Sequence, residues 1–413
     1  MEIKWLKVAF VIFFIALCAD GAAFAETDGS VRASYWSASK MNVPNSDADS
    51  ASAWLRSSGS SGENGLGYHA EGWARNDDVF RRGVGKADLL EGYLSLTSGD
   101  WDFRAGRKVL AWGKADGINP TDNLSRRDYT LLTPDDADNR SGSSALAAFY
   151  NAEPYRFSFI WTPEFRQNVL PLGVAGITFA ENMPLDTWNQ WATKMESTGG
   201  KVDWSLSYFD GWDKNPNFAF KSVGLGGILV GESYGRLRSL GADAATTAGR
   251  YGFRTEAAYL STDSLDGSNP YLKNNSLFVV AGGDRSFDGD FNVNIQYLFK
   301  EVFNYQSYTA QPNPYVMNVV KIQQIVAGQL YAVQNGATAR INKKWRNDTI
   351  TAEVSGVWWA TQGDFLIRPR LIWRATESLV LTLGADTYEG PKDSFFGMLK
   401  NSDTVFGELR INF

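Results

Sequence analysis

Segment after segment of this chain alternates apolar and polar side chains with a period of two, and helical spacing is nearly absent. Phe291, Val293, Ile295, Tyr297 and Phe299 alternate with Asn292, Asn294, Gln296 and Lys300. Val202, Trp204, Leu206 and Tyr208 alternate with Asp203, Ser205 and Ser207. Leu379, Leu381, Leu383 and Ala385 alternate with Thr382, Gly384 and Asp386. Each such segment has about ten residues, the length a tilted strand needs to cross a bilayer. The predicted class is all-β.

A soluble sandwich or propeller would also alternate. Three features favour a transmembrane antiparallel β-barrel. Trp101, Tyr155, Trp161, Trp191, Tyr251, Tyr259 and Trp373 sit near strand ends, as aromatic girdles at two membrane interfaces require. Short turns near 98–100, 151–154, 198–201, 247–249, 287–290, 346–348 and 375–378 alternate with long loops at about 113–142, 163–187, 212–236 and 301–335. The chain ends with Leu409, Ile411 and Phe413 alternating with Glu408, Arg410 and Asn412. A last strand finishing on a C-terminal Phe resembles the signal read by the outer-membrane barrel-assembly machinery, which makes that machinery an expected partner through Phe413.

The N-terminus carries an address. Lys4 and Lys7 precede an apolar stretch from Val8 to Leu17, and Ala23-Phe24-Ala25 offers a small-x-small cleavage site. Residues 1–25 are therefore read as a cleaved secretory leader and 26–413 as one barrel domain. With both termini on one side the strand number is even. Counting back from Phe413 needs a first strand at 31–39 and a return strand around Ser52 to Ser57. This gives 18 strands, or 16 if the first pair stays outside the membrane. Such a barrel is too wide for side chains to fill.

The polar faces then line water. Arg104, Lys108, Arg254, Glu256, Glu353, Arg368, Arg370, Arg374 and Asp386 are the expected pore-lining charges. Arg368, Arg370 and Arg374 share one strand and could guide anions, but Glu353 and Asp386 on neighbouring strands favour structural pairing. One segment breaks the period: Tyr315, Val319, Ile322, Val326, Leu330 and Val333 mark one helix face. Asn313 is an N-cap, Pro314 suits the first position and Asn335-Gly336 reads as the stop. The predicted helix of about 21 residues, roughly 31 Å long, lies in an outer loop. Tyr315, Val319, Ile322, Val326 and Leu330 would form a constriction or lid, or pack on the outer loops as scaffold. The apolar loop stretches from Val169 to Ala180 and around Phe218 to Val230 suggest occlusion or an interaction surface.

The run Arg104-Ala105-Gly106-Arg107-Lys108 leading to Trp112-Gly113, then Asn119-Pro120-Thr121-Asp122, resembles an element of a largely uncharacterised proteobacterial family of outer-membrane barrels. In that family an R-x-G-R-Q strand leads to W-G and an N-P-x-D loop; here Lys108 replaces the Gln. Pro163-Glu164-Phe165-Arg166 with Leu170-Pro171 resembles another of its loops. The family is distantly similar to porins and alginate-export barrels, and the resemblance implies a barrel rather than a substrate. Strict alternation from Trp101 sends Arg107 towards lipid, at a cost of about 2–4 kcal/mol near the midplane, unless Gly106 bulges or the position lies at the interface.

Catalytic chemistry is scarce. The chain has one His and one Cys, and its net charge of -6 offers no basic surface for nucleic acid. His69 alternates with Glu71 and Arg75, faces the lumen, and has no spacing-defined nucleophile. Asp116, Asp122, Asp128, Asp135, Asp136 and Asp138 crowd one loop without the spacing of a calcium loop, so a solvated acidic loop is expected. No metal, cofactor or enzymatic activity is expected. The reading is an outer-membrane porin or channel passing small solutes by diffusion, in contact with outer-membrane lipid, with a homotrimer as one option. A conduit for hydrophobic compounds or polysaccharide, a receptor or adhesin, and a barrel enzyme are the alternatives.

Overall fold

The structure, a computed structural model, describes residues 24–37, 48–62, 65–80, 83–171, 176–264 and 266–413. Eighteen strands form one closed barrel. In chain order they are β1 (Phe24–Trp36), β2 (Ala48–Ser60), β3 (Leu66–Asp77), β4 (Val84–Ser98), β5 (Trp101–Lys108) and β6 (Ser143–Ala152). Then come β7 (Tyr155–Thr162), β8 (Gln190–Ser197), β9 (Val202–Trp212), β10 (Arg236–Ala248), β11 (Tyr251–Thr262) and β12 (Ser276–Phe287). The last six are β13 (Phe291–Val302), β14 (Val333–Trp345), β15 (Ile350–Trp359), β16 (Asp364–Arg374), β17 (Leu379–Glu389) and β18 (Thr404–Asn412). Each pairs antiparallel with its neighbour in the chain, and β18 returns to β1 with Ile411 opposite Val31. Phe413 completes the seam by exchanging backbone hydrogen bonds with Gly29 at 2.9 and 3.0 Å. Closure leaves the sheet without a free edge, the condition for strands in hydrocarbon.

The period-two pattern sorts the side chains as predicted. Leu94, Leu206, Leu240, Ile295, Val354 and Ile367 are exposed on the outer face. Trp161 faces Trp191 across β7 and β8, while Trp345 and Trp373 both face Ile350 at the other end of the barrel. The short turns fall where they were expected. Arg346, Asn347 and Asp348 close one of them with three consecutive positive φ angles of 52, 54 and 64°.

The N-terminal expectations shift. The strand placed at 31–39 runs from Phe24 to Trp36, and the short return segment around 52–57 is the full strand β2. Residues 1–23, most of the expected leader, lie outside the described residues, and β1 begins at Phe24, overlapping the last two residues of the expected leader.

The helix is a correction in length. α1 spans Pro314–Val326, 13 residues. Asn313 caps it by accepting from the Tyr315 and Val316 amides at 2.9 and 3.4 Å, and Pro314 opens it. Its stop is Gly328, at φ 60°, rather than Asn335-Gly336, which lie inside β14. Leu330 is buried in the connecting segment, and Val333 pairs with Glu301 as the first residue of β14. The three-residue step from Leu330 to Val333 continues the helical spacing only by coincidence, across a connecting segment and into the start of β14, so periodicity alone overran the glycine. Lys300 on the wall donates to the Ala327 carbonyl at 3.1 Å, a cation at the negative end of the helix.

Candidate pore constriction

Between β5 and β6 the chain leaves the wall and turns into the barrel. Gly106 (φ 135°) and Gly113 (φ 101°) hold backbone conformations that other residues avoid. Leu110, Trp112 and Leu124 then bury against Ala147, Phe149, Ile160, Ala192 and Phe209 on the inner wall. The lumen is therefore filled on the β6–β10 side by this segment, residues 109–142.

Its anchor is Glu256 on β11, fully buried at 0 % exposure. One carboxylate oxygen accepts from the Thr121 amide and hydroxyl at 2.8 and 2.7 Å. The other accepts from the Lys114 and Ala115 amides at 3.1 Å each and from the Asn119 amide group at 3.3 Å. Gly113 leaves room for that carboxylate: a Cβ there would sit 2.4 Å from Oε2. A buried carboxylate is costly unless its lone pairs are filled, and here five donors fill them. The Asn119-Pro120-Thr121-Asp122 element is thus a carboxylate cradle. Asp122 in turn accepts from Arg127 and Arg140 at 2.8 Å each, bracing the loop from within.

On the far side the loop meets the opposite wall through ion pairs. Asp116 pairs with Arg340 at 3.2 Å, Asp136 with Arg368 at 2.7 Å and Asp138 with Arg32 at 2.6 Å. Arg75 donates to the Leu132 carbonyl at 2.8 Å. The acidic loop, expected to be solvated, is therefore pinned by wall arginines. Asp128 and Asp135 instead cap their own turns. Burial pushes the Asp136 carboxyl up, but the Arg368 guanidinium outweighs it and holds the group below the usual carboxylate range.

The expected pore-lining residues separate into tied and free. Arg104 bonds Asp102 and lies over Phe149, Lys108 lies 3.5 Å from Glu91, and Arg254 pairs with Asp284 at 3.1 Å. Arg368 also holds Asp386 at 2.8 Å, and Glu353 lies 3.9 Å from Arg340. Arg374 donates to the Asp348 carbonyl at the short-turn end. Arg370 has no carboxylate within 4.0 Å among the described residues, and its Nε is buried without a partner. Arg107 is relieved of its lipid conflict: it donates to the Leu89 carbonyl at 3.1 Å and lies 3.7 Å from Asp88 and 3.8 Å from Glu164.

The helix residues gather elsewhere. Val319 and Ile322 bury against Phe218 and Val230, with Val326 at the edge. Phe218 and Val230 belong to a three-stranded loop sheet of Ile177–Asn182, Asn217–Gly224 and Gly227–Ser233. Tyr315 stacks near Phe220. Gln323 locks the contact, accepting from the Phe218 amide at 2.7 Å and donating to Asn217 at 3.1 Å. The apolar loops are thus the partners of the helix. Nearby, Lys214 is only 7 % exposed and has no carboxylate within 4.0 Å among the described residues; burial pulls its ammonium down to about 8.

No family model matches the chain, and no curated protein matches it. Solved structures do. The outer membrane protein OpdK of Pseudomonas aeruginosa is similar at TM-score 0.56 and 11% identity, covering 95% of this chain and 99% of its own. A Rh. blastica porin mutant (TM-score 0.45, 13% identity, 94% and 100% covered) and the OmpT outer membrane protein of Vibrio cholerae (0.45, 12%, 94% and 99%) are more distant in shape. The chain thus has the closed 18-stranded antiparallel architecture of an outer-membrane barrel.

Proposed function

We propose that this protein is a diffusion channel of a Gram-negative outer membrane, passing small hydrophilic solutes through a lumen narrowed by residues 109–142. The observation that carries this reading is the two-sided fixation of that loop: Glu256 holds it to one wall, and Arg340, Arg368 and Arg32 meet its carboxylates from the other. A rigid constriction inside a water-lined barrel selects by size and charge without a moving part. Arg370, free of an ion pair beside the Asp136–Arg368 contact, gives the narrow zone a cation that a passing anion can meet. The apolar-path alternative needs the α1 face in the lumen, and Val319 and Ile322 are instead spent on the loop sheet. Outer-membrane lipid around the exposed apolar belt, assembly through Phe413 and a homotrimer belong to the same reading.

Swelling of liposomes containing the purified protein, with sugars of increasing mass, tests it. Uptake that falls steeply with solute size supports a constricted pore. Liposomes that stay impermeable to the smallest sugar would overturn it.

A further inference from the structure

The lumen face of β3 and β4 holds a donor set that the constriction shares only through Glu91. His69 is the only histidine in the chain. Glu71 follows it on β3, and Glu91 on β4 lies directly opposite Glu71. One ligand atom from each of the three falls within 4.8 Å of the others. His69 Nε2 is 3.3 Å from a Glu91 oxygen and 3.8 Å from a Glu71 oxygen. That nitrogen is sealed from solvent and makes no hydrogen bond. Two carboxylates facing each other across strands repel, and a cation held between them relieves that repulsion.

The neighbours leave the set available. The other Glu91 oxygen is engaged by the Val109 amide at 2.8 Å and by Lys108 at 3.5 Å, which turns Oε2 to the histidine. Arg56, opposite Glu71 on β2, is engaged with Asp28 at 2.8 Å. Tyr93 stacks on the imidazole at 5.2 Å and fixes its plane.

We propose that His69, Glu71 and Glu91 bind one divalent transition-metal ion of the zinc type, with the remaining coordination position open to the lumen. One imidazole and two carboxylates suit zinc or copper, whereas calcium and magnesium take oxygen alone. Tetrahedral bonds of about 2.0–2.1 Å separate ligand atoms by roughly 3.3 Å. The His69–Glu91 pair already has that spacing, and Glu71 closes it by a rotamer adjustment. Because Glu91 also holds Val109, the first residue of the inserted loop, the ion would stiffen the root of the constriction. The site stands on its own geometry and does not require that the pore conducts.

The test is titration of the detergent-solubilised full chain with Zn2+, followed by calorimetry, and electron paramagnetic resonance of added Cu2+. Expected are one ion per chain, a Cu2+ spectrum with coupling to a single nitrogen, and at least tenfold weaker Zn2+ binding in His69→Gln, Glu71→Gln and Glu91→Gln. A β-barrel circular-dichroism spectrum certifies that each variant is folded. Absence of saturable Zn2+ binding to the unmodified chain would overturn the site. Binding that survives in His69→Gln would overturn it equally.

Discussion

Thr121 delivers its backbone amide and its hydroxyl to the same oxygen of Glu256, at 2.8 and 2.7 Å, across 135 positions of sequence. The contact ties the inserted loop to the wall of β11 at a point where both groups are buried. Hydrogen bonds to a buried charge are among the stronger ones, and an unfilled carboxylate there would be expensive.

Glu256→Gln therefore costs about 2 kcal/mol, since it removes the charge from the acceptor and sets its NH2 against either the Thr121 pair of donors or the Lys114, Ala115 and Asn119 donors. The temperature at which the folded barrel loses its compact gel mobility is expected to fall. Single-channel current is expected to become noisier as the loop loosens. Unchanged melting and unchanged noise would show that the cradle does not hold the loop.

Gly113→Ala places a methyl 2.4 Å from the Glu256 carboxylate in a backbone conformation at φ 101°. It is expected to mimic Glu256→Gln in both readouts. The double variant is expected to be much less than additive, because both changes break one contact. Additive losses would separate the glycine from the glutamate.

Asp136→Asn and Arg368→Gln each open the ion pair between the loop and β16. Asp136 remains over half exposed to lumen water, so their coupling energy is expected to be modest, about 0.5–1 kcal/mol. Arg368 holds the Asp136 carboxyl below its usual range, so the pair persists at neutral pH and is lost only as pH falls through that lowered value. Conductance is expected to rise at acidic pH in the parent and to be already raised in Asp136→Asn. Equal conductance of the parent and Asp136→Asn at neutral pH would contradict this.

Arg370→Gln removes a lumen arginine that has no ion pair among the described residues. Reversal potentials across a salt gradient are expected to shift towards cations, while Arg374→Gln, at the short-turn end, is expected to shift them little. Equal shifts in the two variants would deny Arg370 its special place.

Lys214 is buried with an ammonium lowered to about 8. The unfolded chain binds the proton more tightly, so stability rises with pH between about 8 and the free-lysine value near 10.4, by up to about 3 kcal/mol. Lys214→Met is expected to raise stability at pH 7 and to flatten that slope, read by thermal melting across pH 7–10.

Alternation and turn spacing made the barrel and its strand number legible, because membrane strands must repeat one local pattern. The inserted loop was harder. Its acidic residues looked solvated, since the arginines that hold them lie on β1, β14 and β16, far away in sequence. One local signal did exist. In β6, Ala145, Ala147 and Phe149 alternate with Leu146, Ala148 and Tyr150, apolar on both faces, and a strand with no wet face must be covered from inside. The helix was found by its cap and overextended past Gly328. Its burial on Phe218 and Val230 depended on loop strands that share no local pattern with it.

The central claim is that residues 109–142 narrow an otherwise open pore, and single-channel conductance in planar bilayers tests it most directly. The parent is expected to give small, steady currents, and a variant with 114–140 replaced by a short Gly-Ser linker is expected to give currents several-fold larger, as a wider aqueous lumen conducts more. Equal conductance in the two proteins, or silence in both, would contradict the account.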